Sequence, residues 1–327
     1  MSRREFLGGA VGLSNAACVA GLLIEDERAK GQTLATAGLS SPRQAATEQF
    51  RLRYMVASTL FGTMPLEVVA SHAAATGAEA IDLWPRPYGN HREQVDEIGV
   101  AVARRVVEKH GVRIAAISRY DLGPFRLTEE MTVLKDLGGE VLITGCGRPK
   151  PPEPRDLKPA VEELVRALQA VAKEAEAKGL KVAIENHSST LLLNADAVRW
   201  FAELNRYPSI GIALAPYHLP QDPQVLAALI KEVGQQIFVF YAWQFGKGCM
   251  QPMPKEAELE QLPGRGPLDF RPIMAALRQI NFAGWTEIFM HSYPRGTPLW
   301  EEPSAIVNEL LRAKRYLEKC LSASSDA

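Results

Sequence analysis

The sequence predicts an α/β protein folded as a single (β/α)8 barrel. After residue 50, short apolar segments alternate with helical patterns, and eight such pairs fit within about 270 residues, which is typical of this barrel. The fifth segment, KVAIENH at 181–187, is short and β-branched, so it predicts a buried strand that ends in polar residues. No G-x-G-x-x-G motif opens a helix, which argues against a doubly wound sheet and against a nucleotide cofactor.

Each predicted element follows from apolar periodicity and from the residues that end it. The strands are predicted at 54–58, 80–84, 112–118, 140–144, 181–187, 209–214, 237–241 and 285–289. The helices are predicted at 65–75, from the loop after strand two to about 109, and at 128–137, 157–178, 196–204, 223–233, 270–280 and 304–320. A two-domain chain would need a linker, for which 150–155 is the only candidate after residue 50.

Composition limits the class of partner. Of the 327 residues, 46% are hydrophobic and 23% are charged, which is ordinary for a globular protein with a large core. The net charge is −1 and the isoelectric point is near 6.6, so the basic face needed for nucleic acid is not predicted. The four cysteines show no C-x-x-C spacing, so no zinc knuckle or redox motif is expected.

The first 37 residues predict an export signal. Arg3 and Arg4 precede Phe6 and Leu7, and a weakly apolar stretch follows, which resembles a twin-arginine signal peptide with a cleavage site at 35–37. Residues 38–50 are then a linker, 51–321 the barrel and 322–327 a disordered tail. The sequence therefore predicts a periplasmic or otherwise exported protein with no membrane anchor after signal removal, since no apolar run reaches the ~18–20 residues of a span.

Polar residues gather where the predicted strands end. Because the active sites of such barrels lie in the loops after the strands, the glutamates Glu185 and Glu287 are expected in one cavity. Four of the six histidines, one of them His91, also lie in or next to strand exits. Trp84 and Trp243 are at strand exits too, where aromatic rings often cover sugar rings.

Three motifs carry a resemblance to a known family. They are I-E-N-H at 184–187, G-R-G-P-L-D-F at 264–270 and F-A-G-W-T-E-I at 282–288. Through them, residues 50–320 resemble the xylose isomerase-like superfamily of TIM barrels, which contains sugar isomerases and epimerases. The resemblance implies a divalent metal held by a glutamate, an aspartate, a histidine and a second glutamate from strands five to eight.

Only half of that ligand set is present. Glu185 and Glu287 match, but Ala215 stands where the family has aspartate, and Tyr241 stands at the histidine position. Two outcomes are open. In the first, histidines are recruited as metal ligands, and the site then favours Zn²⁺ or Mn²⁺. In the second, no metal binds and the two glutamates share a proton. Weak or absent binding is the expected result. The candidate metal ligands are Glu185, Glu287, His187, His218 and His291.

The predicted function is a sugar isomerase or epimerase. Glu185 and Glu287 are expected to act as base and acid, abstracting a proton next to a carbonyl of an unphosphorylated sugar or keto-sugar. The alternatives are a lyase that performs β-elimination on a keto-glycoside and a non-catalytic sugar-binding protein. Nothing in the sequence predicts an oligomeric state. The predicted substrate-binding residues are His218, Lys247, Trp84, His187 and Trp243.

Overall fold

The prediction of a (β/α)8 barrel is confirmed. The computed structural model describes residues 50–149 and 153–323, in which eight parallel strands pair in chain order and close into one barrel. The strands are β1 Arg53–Ala57, β2 Ala80–Leu83, β3 Arg113–Ser118, β4 Val141–Gly145, β5 Lys181–Glu185, β6 Ile210–Leu214, β7 Ile237–Ala242 and β8 Trp285–Ile288. The predicted signal peptide and nearly all of the predicted linker lie outside the described residues.

Helices surround the strands, and the longer ones bury apolar side chains. They are α1 Leu66–Ala75, α2 His91–Ile98, α3 Val100–Glu108, α4 Thr128–Asp136, α5 Leu157–Ala167, α6 Gln169–Lys178, α7 Ala195–Leu204, α8 Pro223–Val233, α9 Lys255–Glu258, α10 Arg271–Gln279 and α11 Pro303–Ala323. Within the part of the chain that the structure describes, none of these helices has the length and apolarity required to span a membrane.

Several helix boundaries differ from the prediction. The helix expected after strand two is two helices, because Gly99 takes a φ of 83° that ends α2. The helix expected at 157–178 is interrupted at Leu168, and the loop expected at 243–266 contains the short helix α9. The final helix extends to Ala323, two residues into the predicted tail, and 324–327 lie outside the described residues.

The strand register places three acidic side chains in the interior of the barrel. Asp82 lies on β2, Glu185 ends β5 and Glu287 lies on β8, and all three are buried. Glu185 pairs in register with Gly145 of β4, and a side chain built on that glycine would lie 3.8 Å from the Tyr120 ring. The small residue therefore leaves space beside Glu185 for an aromatic side chain from the loop after β3.

Candidate active site

A cavity of about 730 Å³ lies at the carboxyl-terminal ends of the strands, where barrels of this type carry their active sites. Residues from the loops after β2 to β8 form its wall. Aromatic side chains cover much of that wall, in particular Trp84, Tyr88, Tyr120, Tyr217, Trp243 and Phe289. A cavity of this size accommodates a sugar, and its aromatic faces suit the C–H surfaces of a sugar ring.

Most of the predicted site residues line this cavity. The exceptions are Glu287 and Lys247, and Lys247 is exposed. His91, which also follows a strand, is fully buried elsewhere, where its Nε2 lies 2.9 Å from the carbonyl oxygen of Met64. The predicted residues that do line the cavity are Trp84, Glu185, His187, His218, Trp243 and His291.

Glu185 is the acidic residue of the cavity wall. It is 6% exposed, and its Oε1 lies 4.0 Å from Nε2 of His218. Burial raises the pKa of Glu185 from 4.5 to about 8, although a hydrogen bond from Tyr120 and the charge of Arg295 oppose the rise. At neutral pH the carboxyl group is therefore mostly protonated, and its ionised form is a stronger base than an ordinary carboxylate.

Glu287 is buried away from the cavity. Its side chain is fully buried, and neither carboxyl oxygen has a hydrogen-bond partner among the described residues. Phe289, two residues further along the chain, lines the cavity instead and stacks on Trp84 at 5.3 Å between ring centroids. The structure therefore does not bring both predicted glutamates to the cavity surface, because bulky aromatic rings occupy the space there.

A third buried acid, Asp82, lies near Glu287 and was not identified from the sequence. The Ser118 hydroxyl donates a 2.7 Å hydrogen bond to its Oδ2, while its Oδ1 has no partner within the described chain. Burial raises the pKa of Asp82 from 3.8 to about 7, and burial, Asp82 and Glu185 together hold the pKa of Glu287 well above 4.5. An acid in the middle of the apolar segment A-I-D-L-W was the available signal.

Two tyrosines connect these carboxyl groups. The hydroxyls of Tyr120 and Tyr241 lie 3.0 Å apart in the barrel interior. Burial is the main reason that the pKa of each phenol lies well above 10, and Glu185 raises the pKa of Tyr120 further. Both phenols are therefore protonated at neutral pH and act as hydrogen-bond donors.

His187 and His218 form a ring pair beside Glu185, with centroids 3.9 Å apart. The backbone N–H of Ser189 donates to Nδ1 of His187 at 3.1 Å, so the neutral ring carries its proton on Nε2. Burial, with a contribution from Arg295, lowers the pKa of His187, and burial together with His187 and Arg295 lowers the pKa of His218 to about 3. Both rings are neutral near pH 7 and can donate N–H hydrogen bonds.

The two predicted sugar-stacking tryptophans are part of packed aromatic pairs. Trp243 stacks on Tyr217 with centroids 3.9 Å apart, and its Nε1 donates a 3.0 Å hydrogen bond to Gln261. Both Trp84 and Trp243 are only 2% exposed. His291 lies edge-on to both rings, at 5.8 Å from Trp84 and 5.5 Å from Trp243. These rings form a rigid wall in which each contributes a small part of the surface.

The residues present do not fit the four-ligand metal site that the resemblance implied. The side chain of Ala215 supplies no ligand atom. Tyr241 is a protonated phenol whose hydroxyl forms a hydrogen bond with the hydroxyl of Tyr120. In residues 50–149 and 153–323, no group of three or more His, Cys, Asp or Glu side chains is arranged to hold a metal ion. The histidines considered as recruited ligands, His187, His218 and His291, are not assembled with the glutamates into such a group.

Arg295 is the basic residue that the sequence did not identify. It lies in the loop after β8 and lines the cavity, whereas the predicted Lys247 does not. Its charge lowers the pKa values of Glu185, His187 and His218, so its field reaches the reactive part of the cavity. The available signal was a basic residue in the H-S-Y-P-R-G loop that follows the last strand.

Comparison with known proteins agrees with this architecture. The structure of L-ribulose 3-epimerase matches with a TM-score of 0.63 at 17% identity, covering 84% of this chain and 96% of that chain. D-Allulose 3-epimerase from Methylomonas sp. matches with a TM-score of 0.62 at 18% identity, covering 82% of this chain and 98% of that chain. The structure of the IolI protein with a bound zinc atom matches with a TM-score of 0.62 at 14% identity, covering 84% of this chain and 99% of that chain. At these identities the likeness shows a shared fold.

Sequence comparison identifies the family. No curated protein matches the chain significantly. A family model described as a xylose isomerase-like TIM barrel matches residues 70–315, which is most of the chain. The protein therefore belongs to the family of xylose isomerase-like TIM barrels.

Proposed function

We propose that this protein is a sugar isomerase or epimerase that transfers a proton at a carbon next to a carbonyl group, with Glu185 as the base. One observation carries the proposal: among the described residues, Glu185 is the single carboxyl group that lines the cavity. A sugar held against the aromatic wall meets this carboxyl group beside two neutral histidines. The structural similarity to sugar epimerases supports the same class of chemistry.

The pKa of Glu185 suits it to this reaction. The most effective general base has a pKa near the working pH, because it combines basicity with a sufficient ionised fraction. Since burial raises the pKa of Glu185 to about 8, its carboxylate is better matched to a weak carbon acid than an ordinary glutamate. Loss of the proton from C2 of an aldose leaves an enediolate, the hydroxyl proton on O2 passes to O1, and protonated Glu185 can return the carbon-bound proton to C1.

The negative charge that develops on the carbonyl oxygen needs stabilisation. The cavity offers the N–H group on Nε2 of His187, which is neutral near pH 7. The hydroxyl of Tyr120, which hydrogen-bonds Glu185, supplies a further donor near the reacting carbon. These groups, which are all side chains of this protein, can stabilise the negative charge that develops on the carbonyl oxygen.

The placement of Glu287 favours reactions that need one base. Epimerisation with inversion requires proton transfer at both faces of the carbon, and Glu287 does not line the cavity. Isomerisation between an aldose and a ketose can use one carboxyl group on one face. β-Elimination from a keto-glycoside has the same requirement, because the proton that Glu185 takes from carbon can pass to the departing glycosidic oxygen. Isomerisation is therefore the leading form of the proposal and elimination the second.

A non-catalytic sugar-binding protein is the alternative from a different class. It is favoured by the incomplete ligand set, since Ala215 and Tyr241 replace the two metal ligands of the family. In this alternative Glu185 remains protonated and only donates a hydrogen bond to the sugar.

Hydrogen exchange tests the proposal. The protein is incubated in D₂O with a panel of unphosphorylated aldoses, ketoses and keto-glycosides, and the carbon-bound hydrogens are followed by NMR. We expect at least one sugar that binds to exchange the hydrogen next to its carbonyl group, and the products then separate isomerisation from elimination. If sugars bind and none exchanges, the sugar-binding alternative is correct.

A further inference from the structure

The guanidinium of Arg295 has no anionic partner within the described chain. Its Nη2 contacts two sulfur atoms, Sγ of Cys249 at 3.3 Å and Sδ of Met250 at 3.7 Å. Its Nη1 is buried and has no hydrogen-bond partner. No carboxylate in residues 50–149 and 153–323 lies within the 4.0 Å of an ion pair with it. Apart from the two sulfur atoms, the guanidinium carbon lies 6.0 Å from the centroid of the Tyr88 ring, so this cation on the cavity wall has only weak partners.

Other shielded arginines of this protein are paired. A buried cation without a compensating anion costs several kcal/mol, so proteins normally supply a carboxylate. Arg295 departs from this pattern on the wall of the cavity at the strand ends. Shielded arginines that do have carboxylate partners include Arg92 with Glu130, Arg119 with Glu130, and Arg312 with Glu309.

The charge of the cavity wall indicates which anion fits. Arg148, the second arginine of the wall, is compensated because its Nη1 lies 2.8 Å from Oε1 of Glu163. Arg295 lowers the pKa values of His187 and His218, so neither ring adds positive charge near pH 7. One uncompensated charge matches one carboxylate, whereas a phosphate carries about two negative charges. The planar guanidinium also matches a carboxylate in shape, because two parallel N–H groups can bind its two oxygens.

We infer that Arg295 binds the carboxylate of a sugar acid, so that the natural ligand of this cavity is a uronate or a keto-aldonate with a single negative charge. The inference rests on the proposed function, since the same cavity must take the carbohydrate. An ion pair with Arg295 also fixes the orientation of the sugar relative to Glu185.

Equilibrium binding tests this inference without requiring turnover. Isothermal titration compares D-glucuronate, D-galacturonate and 5-keto-D-gluconate with D-glucose, D-galactose and D-glucose 6-phosphate. Because a hydrogen bond to a charged group contributes about 1.5–3 kcal/mol, we expect at least one sugar acid to bind about tenfold or more tightly than its neutral counterpart. Arg295→Gln should abolish this preference and leave the affinity for the neutral sugar unchanged.

Two further variants distinguish the effect of the planar guanidinium from the effect of positive charge in general. Arg295→Lys keeps the charge and loses the planar pair of donors, so we expect it to keep only part of the preference. Lys247→Gln removes an exposed cation outside the cavity and should keep all of it. The melting temperature of Arg295→Gln should be unchanged or higher, since the variant removes an unpaired cation.

The outcomes that contradict the inference are distinct from those that contradict the proposed function. Failure of all three sugar acids to bind, tighter binding of the neutral sugars or of the phosphate ester, or an undiminished preference in Arg295→Gln would overturn the inference. A sugar acid that binds through Arg295 and never exchanges a carbon-bound hydrogen in D₂O contradicts the proposed function only.

Discussion

Asn186 forms two hydrogen bonds with the backbone of Ala215. Its side-chain nitrogen donates to the Ala215 carbonyl oxygen at 3.0 Å, and its side-chain oxygen accepts from the Ala215 N–H at 2.7 Å. The pair joins the ends of β5 and β6 at the position where the family carries a metal-binding aspartate. It also connects Glu185, which precedes Asn186, with the loop that carries His218.

Removing this connection should lower both stability and activity. Asn186→Ala leaves the buried N–H group of Ala215 unpaired, which costs about 1–3 kcal/mol in the free energy of unfolding, whereas the Ala215 carbonyl oxygen still accepts from the His218 N–H at 3.2 Å. Because the 4.0 Å separation of Glu185 and His218 depends on the two strand ends, kcat/KM should also fall. Urea unfolding and steady-state kinetics measure the two effects.

Asn205 provides the matched control for that substitution. It is also buried, and its side-chain nitrogen donates to the Ile210 carbonyl oxygen at 2.8 Å, at the opposite end of β6. Asn205→Ala should cost comparable stability and leave kcat/KM unchanged at a temperature where the protein is folded. If both variants lose activity equally, Asn186 has no specific positioning role.

Much of the fold and part of the site could be predicted from the sequence. Apolar periodicity located all eight strands to within a few residues, because buried parallel strands require apolar runs. The structure places Glu185, His187 and His218 on the wall of one cavity, since the carboxyl ends of parallel strands meet on one side of a barrel.

Residues whose placement depends on three-dimensional packing could not be predicted. Glu185 and Glu287 look equivalent in sequence, but Glu185 lines the cavity, whereas Glu287 is fully buried and the wall at the end of β8 is formed by Phe289. The shape of the loop after β7 decides that Lys247 is exposed, and that of the loop after β8 brings Arg295 to the wall. Periodicity contains no information on loop shape.

Stability should fall as the pH rises from about 6.5 to 8, because below the ordinary histidine pKa of 6.5 the lowered pKa values of His91, His187 and His218 act in the opposite direction. The pKa of Glu185 is about 8 in the folded protein and that of Asp82 about 7, against ordinary values of 4.5 and 3.8. Between these limits the folded state holds protons that the unfolded chain releases, so rising pH favours unfolding, by about 1.4 kcal/mol per pH unit for each such group.

Urea unfolding between pH 5 and pH 9 measures this dependence. Glu185→Gln removes one of the titrating groups and should make the free energy of unfolding depend less steeply on pH. Glu163→Gln, at an exposed glutamate on α5, is the control and should keep the wild-type slope. An identical slope in wild type and Glu185→Gln would show that Glu185 does not keep its proton in the folded state.

Metal content should be substoichiometric. Ala215 and the protonated Tyr241 leave too few ligands for Mn²⁺ or Zn²⁺. Elemental analysis of protein purified without a histidine tag, after dialysis, measures this directly, and the activity should be insensitive to a chelator. One equivalent of metal that is retained in dialysis and lost in Glu185→Gln would contradict this prediction.

We predict that the protein is exported and that export depends on Arg3 and Arg4, which lie outside the described residues. Changing both Arg3 and Arg4 to lysine should leave uncleaved precursor in the cytoplasm, because the twin-arginine pathway recognises the arginine pair. Cell fractionation with an antibody against the barrel measures the distribution. Mature protein at the wild-type level in the periplasm would show that export does not use this pathway.

The most direct test of the account compares Glu185→Gln with Glu287→Gln by hydrogen exchange in D₂O, using a sugar that the wild-type protein converts. Among the described residues, Glu185 is the single carboxyl group that lines the cavity. Glu185→Gln should therefore slow exchange by about 10²–10⁴-fold, with sugar affinity retained. Glu287→Gln should slow exchange less, since it acts only through neighbouring groups. Wild-type exchange in Glu185→Gln, or a larger loss in Glu287→Gln, would contradict the assignment of Glu185 as the base.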